Sequence, residues 1–234
     1  MDQHNHGTSH HHGIHHSGHM HMENEVNVAV DYKGNLLSIR LKDKQNNVPE
    51  LAESHEKIMH LIMVSSDLNQ FYHLHPVDKG NGIFQQEITL EDGSYKVFVD
   101  INPKNVGYQI MPIDLHVGHS HTQGSGDNHL KPDEILEKTI NNKTVELKID
   151  SLVTNKPTIL TYLISGGDPD PYLGALGHVI IIDEGVTQLI HVHPVSDDKT
   201  VFETQFSNPG IYKVWSEFKF GEQVTAYPFV INVK

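Results

Sequence analysis

Two sets of three histidines share one spacing. His60 is followed by His73 and His75, and His178 by His191 and His193; 178 − 60, 191 − 73 and 193 − 75 all give 118. Neutral imidazole is a ligand for borderline transition metals. In a β-strand residues i and i+2 share a face, so His73 lies beside His75 and His191 beside His193. Apolar, β-branched runs at 61–64 and 179–182 precede the His-x-His strands. In the second set Asp183-Glu184-Gly185 stands between run and strand, as in a hairpin. Folding about Glu184 and Gly185 sets His178 opposite His191, within a register step, with Cβ atoms about 5 Å apart. Each set then gathers three imidazoles on one patch of sheet, so the expectation is one site per domain. Three His with an open position suit Zn²⁺ or Cu²⁺, with metal–nitrogen bonds of about 2.0–2.1 Å. A plainer reading of the same residues is architectural: Pro76 and Pro194 end the strands, and the imidazoles satisfy backbone groups there.

The elements that position these residues are themselves repeated. Phe84 matches Phe202 at the same offset, and Gly93-Ser94-Tyr95-Lys96-Val97 matches Gly210-Ile211-Tyr212-Lys213-Val214 after one deletion. Pro112 and Pro228 precede a last alternating run in each copy. The period is too long for a solenoid and marks a duplicated domain. Val26, Val28 and Val30, then Leu37, Ile39 and Leu41, alternate with polar residues around the turn at 31–35, as two strands of a hairpin with one buried face. Val145, Leu147 and Ile149 repeat the first strand, residues 159–164 stand for the second, and Asn141-Asn142 turns an extra strand at 135–140 into Val145. Residues 132–138 open with Pro-Asp-Glu and are the one helical candidate, with a strand as the alternative. Short strands with turns every eight to twelve residues predict an all-β fold: two tandem immunoglobulin-like or cupredoxin-like antiparallel β-sandwich domains. The domains span 23–117 and 132–234.

Composition adds a metal theme outside the domains. The chain holds 20 histidines against 17 Lys+Arg. Nine fall before residue 23, among them His4, His6, His10, His11 and His12. Residues 1–22 contain almost nothing to bury and predict a disordered His-rich tail. Their irregular spacing fits a metal-collecting tail better than an expression tag, and Met20 and Met22 add ligands suited to Cu(I). The Gly/Ser-rich stretch 118–131 reads as a flexible linker that carries His119 and His121, with His116 just before it. A net charge of −13 argues against nucleic acid and anionic membrane surfaces. The absence of cysteine excludes thiolate sites and disulfides. No run is long and apolar enough for membrane insertion, and the N-terminus lacks the apolar core of a secretion signal. The expected address is cytoplasmic, or exported or cell-surface if the N-terminus is processed.

Other polar residues are read more plainly. Asp100 and Glu217 follow the Tyr-Lys-Val strands at matching places and read as solvated strand ends, with carboxylate ligation as the alternative. The loop 168–177 leads into His178 and reads as a positioning element. Gly185, His191, His193 and Asp197 match the first half of a cupin metal motif, without its Glu, later Gly and third His.

The segments Tyr172-Leu173-Gly174-Ala175-Leu176-Gly177-His178, His191-Val192-His193-Pro194 and Pro209-Gly210-Ile211-Tyr212-Lys213-Val214-Trp215 carry a resemblance. Through them the second half resembles bacterial β-sandwich domains associated with copper handling, and is similar to YtkA-like and other immunoglobulin-like metal-resistance domains. The likeness covers 140–234 well and 24–117 more loosely, since the first copy carries residues 52–59 and Phe98 in place of the loop and Trp215. It implies a β-sandwich and a metal theme, and many such proteins are exported. The functional expectation is therefore binding of copper first, zinc or nickel next, for buffering, delivery or resistance, with a metal transporter or chaperone as partner. Tail and linker capture ions loosely, the triplets hold them, and affinity falls below about pH 6 as imidazole protonates. No catalytic base or nucleophile is identified. The rivals are a cupin-type metal-dependent enzyme and an interaction module with structural histidines.

Overall fold

The computed structural model describes residues 24–54, 56–118 and 129–234, and of His193 the backbone alone. The tail histidines His4, His6, His10, His11 and His12, and the linker histidines His119 and His121, lie outside the described residues. Among the described residues there is no helix. The first domain runs β1 (Val26–Lys33), β2 (Leu36–Asp43), β3 (Leu51–Ala52), β4 (Met59–Ser65), β5 (Phe71–Leu74), β6 (Val77–Asp78), β7 (Ile83–Glu87), β8 (Gly93–Pro103) and β9 (Ile113–Val117). The second runs β10 (Glu137–Ile140), β11 (Lys143–Ile149), β12 (Pro157–Ser165), β13 (His178–Asp183), β14 (Leu189–Pro194), β15 (Val201–Gln205), β16 (Gly210–Phe220) and β17 (Gln223–Val233).

Both domains are antiparallel sandwiches, as the alternation predicts. In the first, β1-β2-β7-β6 faces β3-β8-β4-β5, with β9 also on β8. In the second the path β10-β11-β12-β15-β14-β13-β16-β17 is continuous. It is continuous because β14 changes partner: Val192 pairs with Val179 of β13, then His193 and Pro194 pair with Glu203 and Phe202 of β15. The first domain makes the same exchange in two pieces. β5 pairs with β4, the strand is interrupted at His75 and Pro76, and β6 pairs with β7. The His-x-His-Pro stretch is thus where a strand leaves one sheet for the other.

Local chemistry accounts for the ends. β1 and β2 reach Lys33 and Leu36, so the turn is the two residues Gly34 and Asn35, at φ 58° and 65°. Both positions need positive φ, which Gly and Asn adopt at low cost. The helical reading of 132–138 is not realised. Asp133 Oδ2 accepts from Val230 N (2.8 Å) and Asp133 N donates to Val230 O (2.9 Å). The side chain that would open a helix pins the segment to β17 instead.

Each domain has its own core, around Leu37, Ile39, Leu41, Leu61 and Val97 in the first and Leu160, Tyr162, Phe202, Val214 and Phe229 in the second. A third core lies between the domains. It joins Ile62, Val64, Leu68 and Phe98 to Ile180, Ile182, Val186 and Trp215. β4 and β13 are buried on both faces, since alternate residues serve the domain core and this seam. The seam residues are themselves repeat mates, and Phe71 stacks on Trp215 at 4.8 Å and 10°. Leu68 and Val186 sit in the hairpin turns at φ 58° and 53°, with no exposure for Leu68 and 4% for Val186. A β-branched residue there is strained, and its burial in the seam offsets the cost.

Trp215→Ala should therefore cost about 3–5 kcal/mol, read as a lower urea midpoint. Leu163→Ala, on an exposed strand position, should stay within about 0.5 kcal/mol.

Candidate metal centre

The parity that sends Ile62 and Val64 into the seam sends His60 there as well, and likewise His178 with Ile180 and Ile182. On β5, Phe71 and His73 share that face. His73 stands opposite Ile62 on β4, and His191 stands opposite Ile180 on β13. The hairpin register therefore differs by two residues from the one expected, which keeps the face and shifts His178 along it. The larger difference is that the two triplets do not form separate patches. His60, His73 and His75 on one sheet and His178 and His191 on the facing one merge between the domains.

Four imidazoles are deeply buried there: His60 and His178 are 1% and 3% exposed, and the side chains of His73 and His191 1% and 6%. The ring donor atoms of His60, His73 and His191 all lie within 4.8 Å of one another. Each of the four rings is held from behind. His60 Nε2 donates to Ser54 O and His178 Nε2 to Tyr172 O, both at 2.9 Å. His73 Nδ1 donates to Glu217 Oε2 at 2.5 Å and His191 Nδ1 to Asp100 Oδ2 at 2.7 Å. The carboxylate bonds cross between domains and are repeat mates of each other. The carbonyl bonds are mates too: 172 − 54 is 118, and the bridges Ser54↔Lys57 and Tyr172↔Ala175 shape both loops alike. The loop before His178 does position it, and residues 52–59 do the same for His60 despite a different sequence.

Asp100 and Glu217 correct the expectation of solvated strand ends. Glu217 is 7% exposed and stands in register beside His178, as Asp100 does beside His60. Their matching position in the two copies was the signal of a shared role. The unbroken apolar runs at 61–64 and 179–182 were the signal of a second buried face. His75 joins the cluster, its Nε2 3.2 Å from His60 Nδ1. His116 does not: it is exposed on β9, with Nδ1 3.1 Å from Ser94 Oγ. The backbone of His193 lies in β14, at the mate of His75.

The back-side bonds fix the tautomers. A carbonyl oxygen only accepts, so in neutral His60 the proton is on Nε2 and Nδ1 carries a lone pair. With ionised Glu217, His73 Nε2 does likewise. These two nitrogens face each other at 3.0 Å. Two lone pairs at that distance repel unless a positive centre is placed between them. When Glu217 holds a proton it donates to His73 Nδ1, and His73 Nε2 then donates to His60 Nδ1; His75 Nε2 is the second nitrogen able to donate there.

Burial also favours the neutral form of His60, His73, His75 and His178. Desolvation lowers His73 to about 3; the neighbouring His191 adds to this, and Asp100 opposes it. It lowers His75 to about 3 as well, with His73 and His60 adding. His60 falls to about 4 by burial, opposed by the Ser54 bond, and His178 to about 4, opposed by the Tyr172 bond. Glu217 moves the other way, raised by burial to about 7 against the pull of His178 and His191.

The fold and the cluster define a tandem antiparallel β-sandwich protein with a histidine cluster between its domains. The chain belongs to the family described as "Domain of unknown function (DUF8832)", whose model matches residues 20–119 and 138–234. No curated protein matches it by sequence. Among solved structures it is similar to a two-domain fibronectin type-III segment of chicken tenascin, at 12% identity and TM-score 0.27, covering 90% of this chain and 98% of that one. It is also similar to FdeC, an Escherichia coli adhesin, at 15% and 0.26, covering 90% of this chain and 64% of that one. A third is the BSP domain of a biofilm-associated protein, at 11% and 0.25, covering 90% and 30%.

The histidine shifts give a pH dependence with a definite sign. His60, His73, His75 and His178 titrate below the unfolded value of 6.5, so their contribution to stability is complete above 6.5 and is lost as pH falls toward 4. Glu217 opposes this: raised above 4.5, it contributes fully below 4.5 and loses that contribution as pH rises through 7. The metal-free protein should therefore lose seam stability steeply between pH 6.5 and 4. Fluorescence of Trp215, the chain's single tryptophan, reports it, and a seam unchanged to pH 4 would contradict the burial argument.

Proposed function

We propose that the protein binds a transition-metal ion between its two domains, copper first and zinc or nickel next, for metal buffering, delivery or resistance. The observation that carries this reading is the pair His60 Nδ1 and His73 Nε2, 3.0 Å apart with their far nitrogens committed to Ser54 and Glu217. A neutral imidazole whose far nitrogen donates to a fixed acceptor is the state in which His ligates. His60, His73 and His191 would hold the ion. A divalent ion would supply the positive centre that their lone pairs face, and Asp100 and Glu217 supply two negative charges that balance it. An all-nitrogen donor set without thiolate suits Cu²⁺, Zn²⁺ and Ni²⁺, with Cu²⁺ bound tightest by the general order of divalent affinities. The resemblance to copper-associated YtkA-like domains agrees with that order. On this reading the tail and linker histidines gather ions at high local concentration and pass them inward, and a transporter or metal chaperone is the exchange partner.

The test is titration calorimetry with Cu²⁺, Zn²⁺ and Ni²⁺. A tight step near one ion per chain should survive alanine at His4, His6, His10, His11 and His12, and should vanish in His60→Ala/His73→Ala/His191→Ala. A tight step that goes with the tail would leave the cluster as architecture. Because burial holds a proton on part of Glu217 near pH 7, binding should release protons, and the heat should change with the buffer's ionisation enthalpy. Imidazoles of ordinary basicity should lose metal below about pH 6.5, whereas His60, neutral to about 4, should hold it at pH 5.5.

A further inference from the structure

His60, His73 and His191 would leave a fourth coordination position. The surrounding geometry bears on what fills it. Tetrahedral ligation at about 2.0–2.1 Å places each imidazole centroid about 3.2 Å from the ion, and so centroids about 5.2 Å from one another. The rings of His60, His73, His178 and His191 are in contact in all six pairs, four of them near that value, while His178 stands farther from His60 and His191 and would move inward to ligate. His60 lies 5.3 Å from His73, 5.0 Å from His191 and 6.5 Å from His178. His73 lies 5.8 Å from His191 and 5.7 Å from His178, and His178 lies 6.4 Å from His191. His75 is close to the two first-domain rings, 4.9 Å from His60 and 4.8 Å from His73, and its next ring contact is Tyr172 at 6.5 Å.

The back-side bonds make the same selection. His178 has Nε2 on the Tyr172 carbonyl, as its repeat mate His60 has Nε2 on Ser54. Its Nδ1 therefore carries the lone pair. The crossed pairs His73–Glu217 and His191–Asp100 exchange under the repeat, so the domains meet about an approximate twofold. Under that operation the His60, His73, His191 triad becomes His178, His191, His73. The two triads share His73 and His191, and their union is four rings, two from each domain.

We infer that the site is one closed four-imidazole centre on this twofold, with His178 as the fourth ligand, and that the bound ion clamps the domains together. This rests on the reading of the cluster as a metal centre. A sphere closed by four protein ligands leaves no place for substrate or water, as in structural rather than catalytic sites. His75 stands outside it: its Nε2 donates to His60 Nδ1 in the metal-free protein, and the ion takes that place.

The test uses Co²⁺ on the full-length chain with alanine at the nine histidines before residue 23 and at His119 and His121. One equivalent should give the intense visible absorption of four-coordinate Co²⁺, and added azide should leave it unchanged. His178→Ala should weaken Co²⁺ binding by on the order of 100-fold, the upper range for loss of a supporting group, and should make the spectrum azide-sensitive. His178→Gln, which still donates to the Tyr172 carbonyl, should do the same with Trp215 emission intact, which separates loss of a ligand from loss of fold. His75→Ala should keep the band. Azide sensitivity in the parent chain, two equivalents bound, an unchanged His178→Gln, or loss of the band in His75→Ala would each overturn the four-ligand centre and leave metal binding standing. No stoichiometric binding of Co²⁺, Cu²⁺ or Zn²⁺ would remove the metal reading itself.

Discussion

Ile62, Val64, Ile180 and Ile182 give β4 and β13 a second buried face, and that burial decides the chemistry beside it. Water excluded from the seam is also excluded from the histidines one step further along the same strands. In water an imidazole near neutral pH is partly protonated; between these sheets His60, His73, His75 and His178 are held neutral. Desolvated polar groups are costly unless hydrogen-bonded, and the protein meets that cost from both domains. Each carboxylate sits beside a histidine of its own domain and bonds to a histidine of the other. These carboxylate bonds cross the seam, so the polar centre and the apolar seam support one another.

The repeat is closely kept where it serves the centre and relaxed elsewhere. Ser54 and Tyr172 share nothing as side chains, yet both present a backbone carbonyl to the histidine six residues on. The conserved quantity is the loop closure at Ser54↔Lys57 and Tyr172↔Ala175, not the residue. In the seam, Phe98 and Trp215 occupy matching places, but only the second stacks on Phe71. Lys213 reaches across to the Leu68 carbonyl at 2.6 Å and lies 5.3 Å over Trp215, while its mate Lys96 pairs with Asp114 in its own domain. These differences fix which half is which.

Much of the fold was legible in the sequence because period-two alternation is a local signal. Val26, Val28 and Val30 or Val145, Leu147 and Ile149 announce half-buried strands without reference to anything distant. The histidines were legible because they recur at one offset. The domain contact was not, because its markers have a local explanation. Runs 61–64 and 179–182 look like hairpin arms, and only their lack of polar alternation tells that both faces are covered. Asp100 and Glu217 look like strand ends until a second domain is laid over them. Pro-Asp-Glu at 132–134 failed for a related reason: a helix cap and an edge-strand clasp use the same carboxylate, and β17 supplied the partner.

The twofold character of the contact has a consequence for a single half. Ile62 meets the mate of its own neighbours, and each carboxylate bonds the mate of a histidine in its own domain. Either half thus carries a surface complementary to itself, with half of every interaction the centre needs. What the tandem chain does by folding once, one domain would do only by pairing with a second copy. Covalent linkage then frees the halves to diverge at Trp215, Lys213 and the loop at 172–177 while the shared imidazoles stay in place.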